Sequence, residues 1–119
     1  MNLIVATRVE DQHLRFEVEG KWGGNDALQL AYVIKAAALR AGRSRALIDL
    51  RRVRPDAQAQ GLFEIFDALR RALAAEARVA LVVPAGIVDD SMLAPGRAPS
   101  VTINSFSQEG FALQWLHAD

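Results

Sequence analysis

The chain has 119 residues, 51% of them hydrophobic and 24% charged, a composition that suits one globular domain and excludes the disordered and fibrous classes. Fourteen basic residues balance fourteen acidic ones, so no global field draws the protein to nucleic acid, an anionic membrane or an acidic substrate. Cysteine is absent, which removes disulfides, thiolate metal ligands and thiol catalysis.

The start, Met1 to Arg8, lacks a basic region ahead of its short apolar run, and no stretch reaches bilayer-spanning length. A cytoplasmic location is the expectation. Two strand-like runs follow, Leu3 to Val9 and Leu14 to Glu19, joined by the polar turn Glu10-Asp11-Gln12-His13. Leu14, Phe16 and Val18 alternate with Arg15, Glu17 and Glu19, the pattern of a strand with one wet face, so a β-hairpin is predicted. Gly20 to Gly24 breaks the pattern, and Asn25 or Asp26 can cap a helix running from about Ala27 to Ala41. Its inward positions are Leu30, Val33, Ile34, Ala37 and Ala38, and Gly42 supplies a left-handed stop.

Ala46 to Leu50 is short and apolar between turn signals, as a strand covered on both faces should be, and it is the candidate central strand. Pro55-Asp56 ends a loop and opens a second helix whose inward stripe is Leu62, Ile65, Phe66, Leu69, Ala72 and Leu73. Arg78 to Val83 is the next buried strand, Val88 to Met92 a short helix, and Val101 to Phe106 the last strand. A final helix begins near Ser105, which has capping-box spacing to Gln108, or near Ser107, and buries Phe111, Ala112, Trp115 and Leu116.

Few residues carry a chemical signature. His13 and His117 fall in a turn and at a frayed helix end, where both are expected to be solvated. The acidic pairs Glu10-Asp11 and Asp89-Asp90 suit a turn and a helix cap better than a metal, and no zinc-type spacing occurs. Gly20-Lys21-Trp22-Gly23-Gly24 precedes a helix but matches no phosphate-binding glycine pattern, which favours a tight turn. Asp49 at the end of a central strand invites comparison with an aspartyl-phosphate receiver. That comparison fails because Lys21 and Lys35, the only lysines, both come early.

Arg40, Arg43, Arg45, Arg51, Arg52 and Arg54, interrupted only by Asp49, form the one marked charge asymmetry. Strand alternation separates these side chains, and solvated arginines are the default reading. Clustering of Arg51, Arg52 and Arg54 would imply an acidic protein face or a phosphate group as partner.

Leu47-Ile48-Asp49-Leu50, a short loop and Pro55-Asp56 leading into an apolar helix with Gly61 resemble the core of STAS domains, the fold of anti-sigma-factor antagonists. The ending Phe106, Phe111-Ala112-Leu113-Gln114-Trp115-Leu116 is similar to that of the SpoIIAA-like branch, whose fold resembles the CRAL-TRIO lipid-transfer proteins. The resemblance implies an α/β fold over residues 1–119: a STAS-like mixed, partly parallel sheet of about five strands covered by about four helices. In such antagonists a phosphorylatable serine precedes the second helix. The matching positions here are Asp56, Ala57 and Gln58, and no hydroxyl residue occurs between Ser44 and Ser91. The expectation is a non-catalytic interaction or regulatory module without that switch and without a cofactor.

Its expected partner-binding residues are Arg51, Arg52, Arg54, Asp56, Gln58, Phe63 and Phe66, facing another protein or a second copy of the chain. The motivating observation is the wide apolar circumference of the second helix, from Leu62 to Leu69. The lipid-transfer side of the resemblance implies an alternative, a carrier of a small apolar ligand in a cavity beneath that helix.

Overall fold

The computed structural model describes residues 3–23, 26–54, 59–73, 77–84 and 102–118, with residues 59–63 described by their backbone. Five strands form one sheet in the order β1-β2-β3-β4-β5, so neighbours in sequence are neighbours in space. β1 (Leu3–Val9) and β2 (Leu14–Lys21) form the expected antiparallel hairpin, while β3 (Arg45–Arg54), β4 (Arg78–Val82) and β5 (Thr102–Phe106) continue parallel to β2. The sheet is therefore mixed and mostly parallel, with the Ala46–Leu50 run at its centre.

Three helices occur among the described residues: α1 (Asp26–Ala41), α2 (Ala59–Ala72) and α3 (Glu109–His117). The short helix expected over 88–92 lies outside the described residues. None of the described helices is long and apolar enough to cross a membrane.

Strand alternation divides the core in two. Leu14, Phe16 and Val18 of β2, with Ala46, Ile48 and Leu50 of β3, meet Leu30 and Ile34 of α1 and Ile65, Phe66 and Leu69 of α2 on one face. On the other face Leu47, Ala80 and Val82 meet Ala112 and Leu116 of α3, with Phe106, Leu113 and Trp115 closing the edge. The α3 face is smaller, and α3 packs chiefly on β3 to β5, so that among the described residues no helix packs centrally over the corresponding face of β1 and β2.

Two local signals act as expected. Asp26 Oδ2 accepts from the Gly23 N–H at 3.0 Å, tying down the entry to α1. Gly42, at φ 65°, occupies the left-handed stop that ends the helix.

Four local expectations are corrected. The segment 51–54 is strand rather than loop, because its backbone stays paired with β2 through Lys21 and Arg54. Neither Ser105 nor Ser107 caps α3; Gln108 holds that position without a side-chain cap bond, and Ser105 stays in β5. Phe111 is 58% exposed because it falls outside the Ala112–Leu116 stripe, and Val33 likewise points outward from α1. Trp115 is half-buried, its ring under the Arg78 guanidinium at 4.3 Å.

Because so few apolar residues hold α3, Leu116→Ala should cost about 2–5 kcal/mol. Hydrogen exchange should show the α3 amides opening before those of β2 and β3; uniform opening of the whole domain would contradict the two-core division.

Candidate functional site

The register of β2 against β3 slips once. Glu17 faces Asp49, but Glu19 faces Arg52, so Val18 alone opposes both Leu50 and Arg51, which is a β-bulge in β3. The bulge changes which way side chains point. Leu50 and Val53 both enter the α1–α2 core, three positions apart, where a regular strand would send them to opposite faces. Arg51 then points to the α3 face, and so do Arg52 and Arg54, which flank Val53. Three arginines that simple alternation would split are gathered on one side.

Asp49 holds the bulge. Its Oδ1 accepts the Arg51 backbone N–H at 3.0 Å and Arg51 Nε at 2.9 Å, and its Oδ2 accepts Arg51 Nη2 at 2.8 Å. The network then extends to α3, where Glu109 lies 2.7 Å from Arg15 and 3.4 Å from Arg51. Arg15 also pairs with Glu17 at 3.2 Å and approaches Asp49 at 3.7 Å.

Burial alone would push the Asp49 carboxyl up, but the side-chain and backbone hydrogen bonds from Arg51, with the charges of Arg51 and Arg15, outweigh it and hold the carboxyl below its ordinary range. Burial opposes the Arg15 charge too, and the bonds to Glu109 and Glu17 more than compensate, raising its pKa. Both Asp49 oxygens are occupied by a guanidinium, which suits a structural carboxylate better than a phosphoryl acceptor. Asp49 thus serves its own strand through Arg51 and the adjacent strand through Arg15.

Beyond this network, an open cleft of about 960 Å³ is lined by Ile4, Glu19, Gly20, Lys21, Arg51, Arg52, Val53 and Arg54. It crosses the part of the sheet that α3 leaves uncovered. Gly20, at φ 123°, takes a backbone conformation that a side chain would strain, and it brings Lys21 level with Arg54. The Trp22 N–H donates to the Arg54 carbonyl at 2.7 Å and keeps the two strand ends together. Among the described residues, Lys21, Arg52 and Arg54 form no ion pair, whereas Arg51 is committed to Asp49 and Glu109.

Of the other expected site residues, Phe66 is 3% exposed and lies in the α1–α2 core, with Arg70 stacked on its ring. It is a core residue in this structure, not a surface anchor. Asp56 and Gln58 lie outside the described residues, as does the side chain of Phe63. Lys21, Glu19 and Ile4 join the arginines only through strand pairing, for which the sequence carries no local signal.

The histidines are also placed differently from expectation. His13 is 9% exposed, and its Nδ1 lies 2.9 Å from Nε2 of His117, so one nitrogen donates to the other and the β1–β2 turn is clamped to the end of α3. Burial, then the His117 charge and Arg15, lower the His13 pKa, while Glu10 and Glu109 partly offset them. A histidine whose pKa is lowered on folding contributes stability that is complete above its unfolded value of 6.5 and is lost as pH falls below it. Thermal melts should therefore show the melting temperature dropping as pH falls below about 6.5, and His13→Gln should flatten that dependence. An unchanged pH profile in the variant would contradict the clamp.

A model of the SpoIIAA-like family matches residues 13–117. Among solved structures, the chain is similar to an anti-sigma factor antagonist from Mycobacterium paratuberculosis, at 18% identity and a TM-score of 0.66, over 98% of this chain and 95% of that one. It is also similar to an uncharacterised protein of the DUF3478 family with a SpoIIAA-like fold from Shewanella loihica PV-4, at 22% identity and a TM-score of 0.52, over 97% and 93%. No curated protein matches. The structural likenesses carry the fold, and the family match spans β2 through α3, including the bulge and its arginines. The chain belongs to the SpoIIAA-like family.

Proposed function

We propose that this chain is a non-catalytic, regulatory protein-interaction module of the cytoplasm that works without a phosphorylatable serine ahead of α2. Its contact surface is centred on Arg52 and Arg54 at the end of β3, and Asp56, Gln58 and Phe63 are proposed to take part in it. The observation that carries this reading is the bulge held by Asp49, which turns three arginines to the α3 side of the sheet, two of them, Arg52 and Arg54, without an ion pair among the described residues. A fold maintained for stability alone has no use for unpaired cations gathered there, whereas a partner surface does. The likeness to an anti-sigma factor antagonist supports a protein as that partner. The absence of any hydroxyl residue between Ser44 and Ser91 supports regulation by something other than phosphorylation at the usual position.

The saturated Asp49–Arg51–Arg15–Glu109 network supports the non-catalytic part. Its charges neutralise one another, and both Asp49 oxygens are engaged by guanidinium groups.

A second reading is favoured by a different observation. An open cleft of about 620 Å³ between β5 and α3 is lined by Phe106, Phe111 and Trp115 with Ser105, Ser107 and Gln114, and its aromatic walls suit a small apolar ligand. This cleft lies on the α3 side, not beneath α2.

Protein captured with its partner from the native host separates the two. The double variant Arg52→Glu/Arg54→Glu should lose the partner by about tenfold or more while its melting temperature stays unchanged. Retention of every captured protein by that variant would contradict the interaction reading. Native mass spectrometry of the same preparation should show the bare chain mass, and a retained apolar adduct lost on Phe111→Ser would favour the second reading instead.

A further inference from the structure

We infer that the Lys21–Arg52–Arg54 cleft takes an acidic segment of a partner protein, one whose carboxylates or phosphate group settle between Lys21 and Arg54. This rests on the interaction reading above and adds the chemistry of what is bound. Three observations carry it.

The first is unrelieved repulsion. Lys21 and Arg54 are direct register partners on adjacent strands, where like charges destabilise a sheet. Among the described residues neither has an acidic partner, although the chain as a whole has as many acidic as basic residues. An anion set between them would relieve the repulsion and bind both at once.

The second is preorganisation. The Trp22 N–H bond to the Arg54 carbonyl and the Asp49 lock on Arg51 fix the backbone under the cations, so little order remains to be imposed on binding. The third is shape. The cleft's volume of about 960 Å³ lies near the upper end of the roughly 300–1,000 Å³ range of ligand sites, which fits several residues of an extended segment. Ile4, 66% exposed on β1, offers an apolar contact along the same wall. Glu19, level with Arg52, sets a polarity: the anion of the segment lies toward Lys21 and Arg54, away from that carboxylate.

Fluorescence anisotropy of the full chain with three labelled peptides of matched length tests this: one glutamate-rich, one bearing phosphoserine, and one neutral with glutamine and serine at the same places. The glutamate or phosphoserine peptide should bind at least about tenfold tighter than the neutral one, and the advantage should shrink as salt rises and screens the cleft. The tighter of the two acidic peptides assigns the anion. Arg54→Gln and Lys21→Gln should each weaken binding about three- to tenfold. Arg71→Gln, which removes an exposed cation paired with Asp67 on α2, should leave it unchanged. Equal binding of all three peptides, or an Arg71→Gln loss as large as that of Arg54→Gln, would overturn the inference. If no peptide binds while Arg52→Glu/Arg54→Glu still releases the host partner, the acidic-segment inference fails and the interaction reading stands.

Discussion

The rest of the structure depends on one carboxylate. Asp49 sits 7% exposed at the middle of the sheet, where an unpaired charge would be strongly unfavourable, and it is satisfied by three hydrogen bonds from a residue only two positions along. One of those bonds takes the Arg51 backbone N–H, inside the two-residue stretch that faces Val18 alone. The same side chain therefore stabilises an irregular strand and orients an arginine. Arg51 and Arg15 then reach Glu109 in the first turn of α3, where a negative charge also complements the helix dipole.

From that point the two faces of the sheet have different tasks. The α1–α2 face holds most of the apolar core and anchors the fold. The other face carries a small apolar patch under α3, and polar contacts supplement it at both ends of that helix. Glu109 is bound at the start; His117 meets His13 at the finish, and Arg78 Nη1 donates to the Ala118 carbonyl at 2.7 Å. Among the described helices α3 packs on β3 through β5, and the bulge turns Arg52 and Arg54 of β3 to that side, level with Glu19 and Lys21 of β2.

Much of this was legible in the sequence, for identifiable reasons. Alternation in Leu14-Arg15-Phe16-Glu17-Val18 marked the hairpin strand, the unbroken apolar run Ala46–Leu50 marked the centre of the sheet, and Gly42 marked the end of α1. These signals are local. What could not be read depends on pairing between distant segments. β3 extends through charged residues because its backbone remains bonded to β2, while its side chains look like those of a loop. The spacing of Leu50 and Val53, three apart where a strand requires two, is the one local trace of the bulge. The contact of His13 with His117 spans 104 residues and left no pattern. The arginines were identifiable as a charge asymmetry, but their gathering on one face, with Lys21 beside them, follows only from the register. Phe66 was misread because the apolar positions on α2 looked too many for one core face, whereas Ile65, Phe66, Ala68 and Leu69 all lie in the core shared with α1.

The central claim is that a bulge held by Asp49 sets the direction of the arginines, and NMR of the strand pairing tests it most directly. Cross-strand backbone contacts should place Glu19 opposite Arg52, with the Arg51 amide protected from exchange in the wild type and unprotected in Asp49→Ala. An unbroken ladder that places Glu19 opposite Arg51 would contradict the account.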